Sequence, residues 1–137
     1  MGILSIFGKK NSASGAAQGP PYSVSTEMIP YRMYAKTKSS ATLVVKVTNL
    51  TKDVLLTSVS AETPNHLGFD EMVVSRQHDI KVGDVQPGET KELRFGLYSS
   101  VGSDPGDYTL TLTTTAHYRD YTHVLNKITK NVKVSII

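Results

Sequence analysis

The sequence predicts an all-β protein, an immunoglobulin-like antiparallel β-sandwich of about seven or eight strands behind a flexible N-terminal tail. Three observations carry that reading. Apolar residues recur at every second position through Leu93, Phe95 and Leu97, through Leu110 and Leu112, and through Val132, Val134 and Ile136. That is the period of a strand with one buried and one wet face. Turn-forming clusters arrive about every ten residues, the spacing of a sandwich. Beyond the first ten residues no helix is expected.

At 137 residues with 39% hydrophobic residues, the chain supports one domain with a single core, plus a tail. Lys and Arg number 15 against 12 Asp and Glu, a net charge of +3, and apart from Lys9-Lys10 the basic residues are dispersed. No footprint for nucleic acid stands out, so none is expected as a partner. Without cysteine there is no disulfide, no thiolate nucleophile and no Cys-ligated zinc or iron–sulfur centre. No run approaches the ~20 apolar residues of a membrane span. Ile3 to Phe7 is too short for the core of an export signal, and its charges follow it rather than precede it. The expected location is the cytosol, with an exported or cell-surface structural domain as the alternative. Gly2 does not satisfy a myristoylation motif, because Ile6 stands where Ser or Thr is required. Asn49-Leu50-Thr51 is a formal glycosylation sequon, read as accidental in a chain without an export signal.

In chain order, residues 1–10 form a short amphipathic tip. Ile3, Leu4, Ile6 and Phe7 share one side of a two-turn helix that ends in Lys9 and Lys10. Such a tip suits an anionic membrane surface, with apolar side chains in the acyl boundary and lysines at the headgroups. A helix this short is marginal in water, so a frayed terminus and a peptide docked on a partner are the competing readings. Residues 11–22 are mainly Ser, Ala, Gly, Gln and Pro without periodicity, a flexible linker, and the sandwich is placed at 23–137.

Residues 22–35 carry Val24, Met28, Ile29, Tyr31, Met33 and Tyr34 interrupted by Pro30, a broken edge strand. Residues 41–50 set Leu43, Val45 and Val47 against Lys46 and Thr48, the clearest inner strand of the first half, and end in the turn cluster Asn49 to Asp53. Residues 54–62 place Leu55, Thr57, Val59 and Ala61 on one face, stopped by Thr63-Pro64. Residues 65–71 are read as a loop, and 72–75 and 80–83 as two short strands. Two longer strands follow, each introduced by Pro-Gly. One sets Leu93, Phe95 and Leu97 against Arg94, Gly96 and Tyr98; the other sets Tyr108, Leu110, Leu112, Thr114, Ala116 and Tyr118 against the intervening Thr residues and His117. The last strand turns Ile128, Val132, Val134 and Ile136 inward.

Pro87 and Pro105 preset φ for a turn, and Gly88 and Gly106 accept the positive φ of the next position. Tyr108, just after the second corner, is placed to bury its ring and return its hydroxyl to nearby backbone, in the manner of a tyrosine corner. These five residues are read as structural. The run Asp84 to Phe95, with its Val85-Gln86-Pro87-Gly88-Glu89-Thr90, and the run Asp104-Pro105-Gly106-Asp107-Tyr108-Thr109-Leu110 resemble the second half of the immunoglobulin-like domains grouped as CARDB and NEW3-type repeats. Val45-Lys46-Val47-Thr48-Asn49-Leu50-Thr51 is similar to their early strand. The resemblance covers about residues 40–137 and implies a module of archaeal and bacterial proteins, usually in tandem on exported chains.

Candidate chemistry is thin. His117 and His123 flank a turn at Arg119 to Thr122, and His66, Asp70 and Glu71 in one loop face the prospect of meeting His78 and Asp79 in the next. A zinc site needs three or four converging ligands, so these are weak metal candidates and surface histidines are expected instead. No Gly-x-Ser-x-Gly elbow and no phosphate-cradling glycine run occurs, so neither an enzyme nor a cofactor is expected. Tyr98, Arg94, Arg119 and Tyr121 are of the types favoured at interfaces and are the interaction candidates. The function read from the sequence is a non-catalytic protein-binding or assembly module. Its partners are an unknown protein, an anionic membrane surface reached by the tip, or a second copy through a sheet edge or face. A small-ligand, carbohydrate or metal-binding sandwich is the remaining alternative. Lys130 and Lys133 on the last strand discourage edge pairing.

Overall fold

The computed structural model describes residues 19–137, and in them the predicted sandwich is present as two facing sheets. The tip residues Ile3, Leu4, Ile6, Phe7, Lys9 and Lys10, and most of the linker, lie outside the described residues. The strands are β1 (Tyr22–Ile29), β2 (Arg32–Met33), β3 (Ser39–Asn49), β4 (Leu55–Glu62), β5 (Leu67–Gly68), β6 (Gln77–Val85), β7 (Thr90–Ser99), β8 (Gly106–His117) and β9 (Val124–Ile136). One sheet runs β1-β3-β7-β5 and the other β2-β9-β8-β4-β6. Pairing is antiparallel except between β2 and β9, where it is parallel. The strands number nine because the broken strand expected at 22–35 divides into β1 and β2, and because β5, two residues long, is too short to leave a periodic signal.

Alternation decides which face is buried. Leu43, Val45, Val47, Phe95 and Leu97 from the four-stranded sheet meet Val59, Ala61, Leu110, Leu112 and Val134 from the other, all essentially inaccessible to solvent. Covering a Leu or Phe of this kind is worth about 1.5–3 kcal/mol relative to leaving it in water. Proline explains the broken first strand: Pro30 has no N–H for a ladder, and the chain passes from the edge of one sheet (β1) to the edge of the other (β2).

Four expectations are corrected. Tyr22 belongs to the sandwich rather than the linker: it is 1% exposed, and its hydroxyl lies 2.7 Å from the Thr57 hydroxyl. The stretch 72–75 is a turn, with Met72 78% exposed, because the Asp70 carboxylate accepts the Val74 and Ser75 amides and draws the chain around. The loop at 65–71 contains β5, whose Leu67 is fully buried against the end of β7. Finally, His117, expected at the surface, is buried although it keeps the outward parity of its β4 neighbour Leu56: Ser58 and Tyr121 cover it on the outer face. Tyr118, expected inward, lies past the end of β8 and is exposed.

Candidate interaction surfaces

The registers set the connections at two ends. Near the described N-terminus lie the links 49–55, 85–90 and 117–124; at the far end lie 29–39, 62–77 and 99–106.

The near end is built on Asn49, which is 1% exposed. Its amide donates to the carbonyls of Asp53 (2.7 Å) and Val85 (2.9 Å), and its side-chain oxygen accepts the Thr51 amide (2.8 Å) and hydroxyl (2.7 Å). One carboxamide thereby ties the β3–β4 turn to the end of β6. The Asn-x-Thr spacing is thus a turn device, and its nitrogen is not available to a glycan in the folded chain. Beside it, Gln86-Pro87-Gly88-Glu89 is closed by a 2.9 Å bond from the Glu89 amide to the Gln86 carbonyl. Pro87 in second place and Gly88 at φ 75° give the turn its type II form. Gly88 also donates to the Asn49 carbonyl at 2.8 Å.

Between β8 and β9, Asp120 repeats the pattern: one carboxylate oxygen accepts the Thr122 amide (3.0 Å) and hydroxyl (2.6 Å), and lies 2.7 Å from His123 Nδ1. The Thr122 hydroxyl, the His123 ring and the Thr122 amide hold the Asp120 carboxyl down at about 2. Arg119 takes a positive φ of 69° to enter the turn. His117, expected on the surface, is buried: Nδ1 lies 3.2 Å from the His123 carbonyl and Nε2 2.7 Å from the Ser58 hydroxyl. A carbonyl only accepts, so Nδ1 carries the proton and Nε2 accepts from Ser58. Tyr121 packs edge-on against His117 at 5.2 Å between centroids, and Lys81 Nζ sits over the Tyr121 ring, 5.2 Å from its centroid.

The second corner also forms: Gly106 opens β8 at φ 154°, after Pro105, and the Tyr108 hydroxyl donates 2.7 Å back to the Asp104 carbonyl. At that far end Lys36 pairs with Asp104. His66 stacks edge-on with Tyr108, whereas His78 lies against Phe69 and Phe95. Among the described residues no three His, Asp or Glu side chains converge on a metal-binding arrangement. His66, Asp70, His78, His117 and His123 are therefore not one site.

The interaction candidates are likewise divided. Arg94 and Tyr98 lie on the outer face of the four-stranded sheet, Arg94 paired with Glu92 at 3.0 Å, while Arg119 and Tyr121 lie in the near-end turn. Sequence reasoning passed over the exposed apolar side chains of the near end. Leu50, Val54, Val124 and Leu125 are all about half exposed or more. Leu50 and Leu125 line an open hollow of about 800 Å³ with Pro20, Pro21, Leu55 and Ala116. No signal marks Leu125, because it is itself the extra residue of the β9 bulge, between Val124 and Asn126, and so falls outside the alternation that would have assigned a face. A third feature is an edge: among the described residues, Ser135 and Ile136 alone along β9 are paired on the side away from β8.

These features define an immunoglobulin-like β-sandwich whose distinctive parts are its turns and open edges. No family model matches the chain, and no curated protein matches it. Among solved structures, a FixG-related protein from Vibrio parahaemolyticus matches at TM-score 0.55 and 15% identity, over 86% of this chain and 98% of that one. Alpha-2-macroglobulin of Escherichia coli, in a structure from domain MG7 to the C-terminus, matches at TM-score 0.59 and 18% identity, over 84% of this chain. This chain spans 16% of that structure and 7% of the whole native macroglobulin, matched over 87% of this chain at the same score. At these identities the likeness is one of fold.

Proposed function

We propose that this domain is a non-catalytic protein-binding or assembly module. The observation that supports it is where the reactive and the apolar groups stand. Asp70 and Asp120 are spent on turn amides and His117 on Ser58 and a carbonyl, whereas Leu50, Val54 and Leu125 stand in water at one end. Covering exposed apolar surface is favourable by about 25 cal/mol per Å², and clustered exposure of this kind marks contact sites. The grouping with CARDB and NEW3-type domains, carried by the two Pro-Gly segments, belongs to the same reading. The test uses the full chain as bait in lysate of the native cell. A retained protein that is lost with the Leu50→Ser/Leu125→Ser variant is the expected result; no protein retained above an unfolded-bait control overturns the reading.

A structural unit of a larger exported or surface assembly is the second reading. It is favoured by the fold shared with alpha-2-macroglobulin, of which such a unit makes up a small part. Tethering by the tip at residues 3–10 is its competitor. Sedimentation with vesicles of phosphatidylcholine and phosphatidylserine separates them, comparing the full chain with one lacking residues 1–18. Loss of pelleting in the shortened chain supports the tether, and equal pelleting sinks it. The cut stops short of Tyr22, whose removal would open the core.

A further inference from the structure

The open edge of β9 is the longest unprotected edge in the described residues. Ile137 donates its amide to the Met33 carbonyl at 2.9 Å, and its own carbonyl accepts the Ala35 amide at 2.7 Å, so its backbone points away from β8. Register along β8 is unbroken from Asn126 to Ile136. Because backbone direction alternates with each residue, Lys127, Thr129, Asn131 and Lys133 also aim their N–H and C=O groups at that side, where no described strand lies. The opposite edge of the same sheet, β6, is interrupted by an irregularity between Thr57 and Ser58 of β4 and by Gly83 at φ 91°, the kind of distortion that blunts an edge. From Asn126 to Ile136 the β9 edge has no such distortion; its irregularity lies at Leu125, at the start of the strand. It carries charge instead: Lys127, Lys130 and Lys133, with no acidic residue anywhere from Val124 to Ile137. Lys133 lies 3.7 Å from Asp107, and Lys127 and Lys130 have no acidic partner among the described residues.

We propose that β9 is a docking edge for an acidic, extended segment of a partner protein, which adds a strand beside it in line with β2. The lysines act in both directions. Against a second β9 they would set Lys beside Lys, which is destabilising, and against a Glu- or Asp-bearing strand they supply favourable cross-strand pairs. The main-chain groups provide attachment and the lysines select the sign of charge. This rests on reading the domain as a protein-binding module.

The probe is a synthetic eleven-residue peptide alternating Glu and Val, with a Lys and Val peptide as control, added to the full chain and followed by amide hydrogen exchange. In the free chain, Lys127, Thr129, Asn131 and Lys133 should exchange faster than Ile128, Lys130 and Val132. The acidic peptide should slow those four and the basic peptide should not. Lys127→Glu/Lys133→Glu, two positions on one face of β9, should weaken acidic-peptide binding by about tenfold, from two cross-strand pairs at up to ~1 kcal/mol each. Three results overturn the proposal. The first is protection of the four amides already present in the free chain, lost on dilution (a second copy) or on removing residues 1–18 (the tail). The second is acidic-peptide protection mapped elsewhere or nowhere. The third is acidic-peptide affinity unchanged in the double variant. The bait experiment is read separately: a partner held equally by wild type and double variant leaves protein binding standing and removes the edge, whereas no partner at all removes the functional reading.

Discussion

Asn49 with Thr51 and Asp120 with Thr122 make the same local object. In each, one side-chain oxygen accepts the amide and the hydroxyl of the threonine two positions on, at 2.6–3.0 Å. They differ in what surrounds them. Asn49 is sealed in the near end and its amide nitrogen also serves two carbonyls of other segments, whereas Asp120 is exposed and serves only its own turn. The same hydrogen bonds should therefore count for much at one site and little at the other, because a lost partner in the interior cannot be replaced by water.

The largest effect should come from Asn49→Asp. It keeps the shape but puts a carboxylate against the Asp53 and Val85 carbonyls, and should cost about 2–4 kcal/mol, seen as a lower urea midpoint at unchanged slope. The mirror change, Asp120→Asn, should leave the urea midpoint almost where it is. If the two swaps cost alike, burial is not what separates the sites.

Next in size is Tyr22→Phe, which removes the buried bond to the Thr57 hydroxyl while Thr57 keeps its own bond to the Leu55 carbonyl, and should cost about 1 kcal/mol near neutral pH. Burial pushes the Tyr22 hydroxyl above its ordinary value, with the Thr57 bond opposing in part. A raised value means that stability is fully present below the unfolded tyrosine value of about 10 and is lost as pH rises through the folded one. The wild type should therefore lose stability in alkaline denaturation more steeply than Tyr22→Phe. Gly88→Ala, forced to keep a positive φ, should cost about 1 kcal/mol, measured by thermal unfolding.

The smallest effect belongs to Asp120. Its lowered carboxyl contributes stability that is present above the unfolded value of about 3.9 and is lost as pH falls through the folded value of about 2. The Thr122 amide resonance should titrate with a midpoint near 2, while the global midpoint hardly moves.

The contrast also shows how far the sequence could be read. The strands β3, β4, β7 and most of β8 were legible because each buries one face, and a period of two survives in the residue order. The Pro-Gly corners and the Tyr108 bond were legible because φ restrictions act locally. What could not be read depends on neighbours distant in sequence. The burial of Asn49 needs Val85, that of Tyr22 needs Thr57, and that of His117 needs Ser58 on β4. Met72 to Ser75 carries a strand-like composition that loses to two hydrogen bonds, from the Val74 and Ser75 amides to the Asp70 carboxylate. The surface features were less legible still, since exposure of Leu125 and of the β9 backbone is defined by what is not beside them.

The Asn49 network has a further consequence in time. The side chain that the folded protein hides is, in the nascent chain, an open Asn-x-Thr acceptor, and it stays open until Val85 arrives 36 positions later to claim its nitrogen. In any compartment that attaches sugars to such sites, folding and modification would compete for one atom. A glycan found at Asn49 would then be a clock reading, a mark left on the molecules in which β6 came home too late.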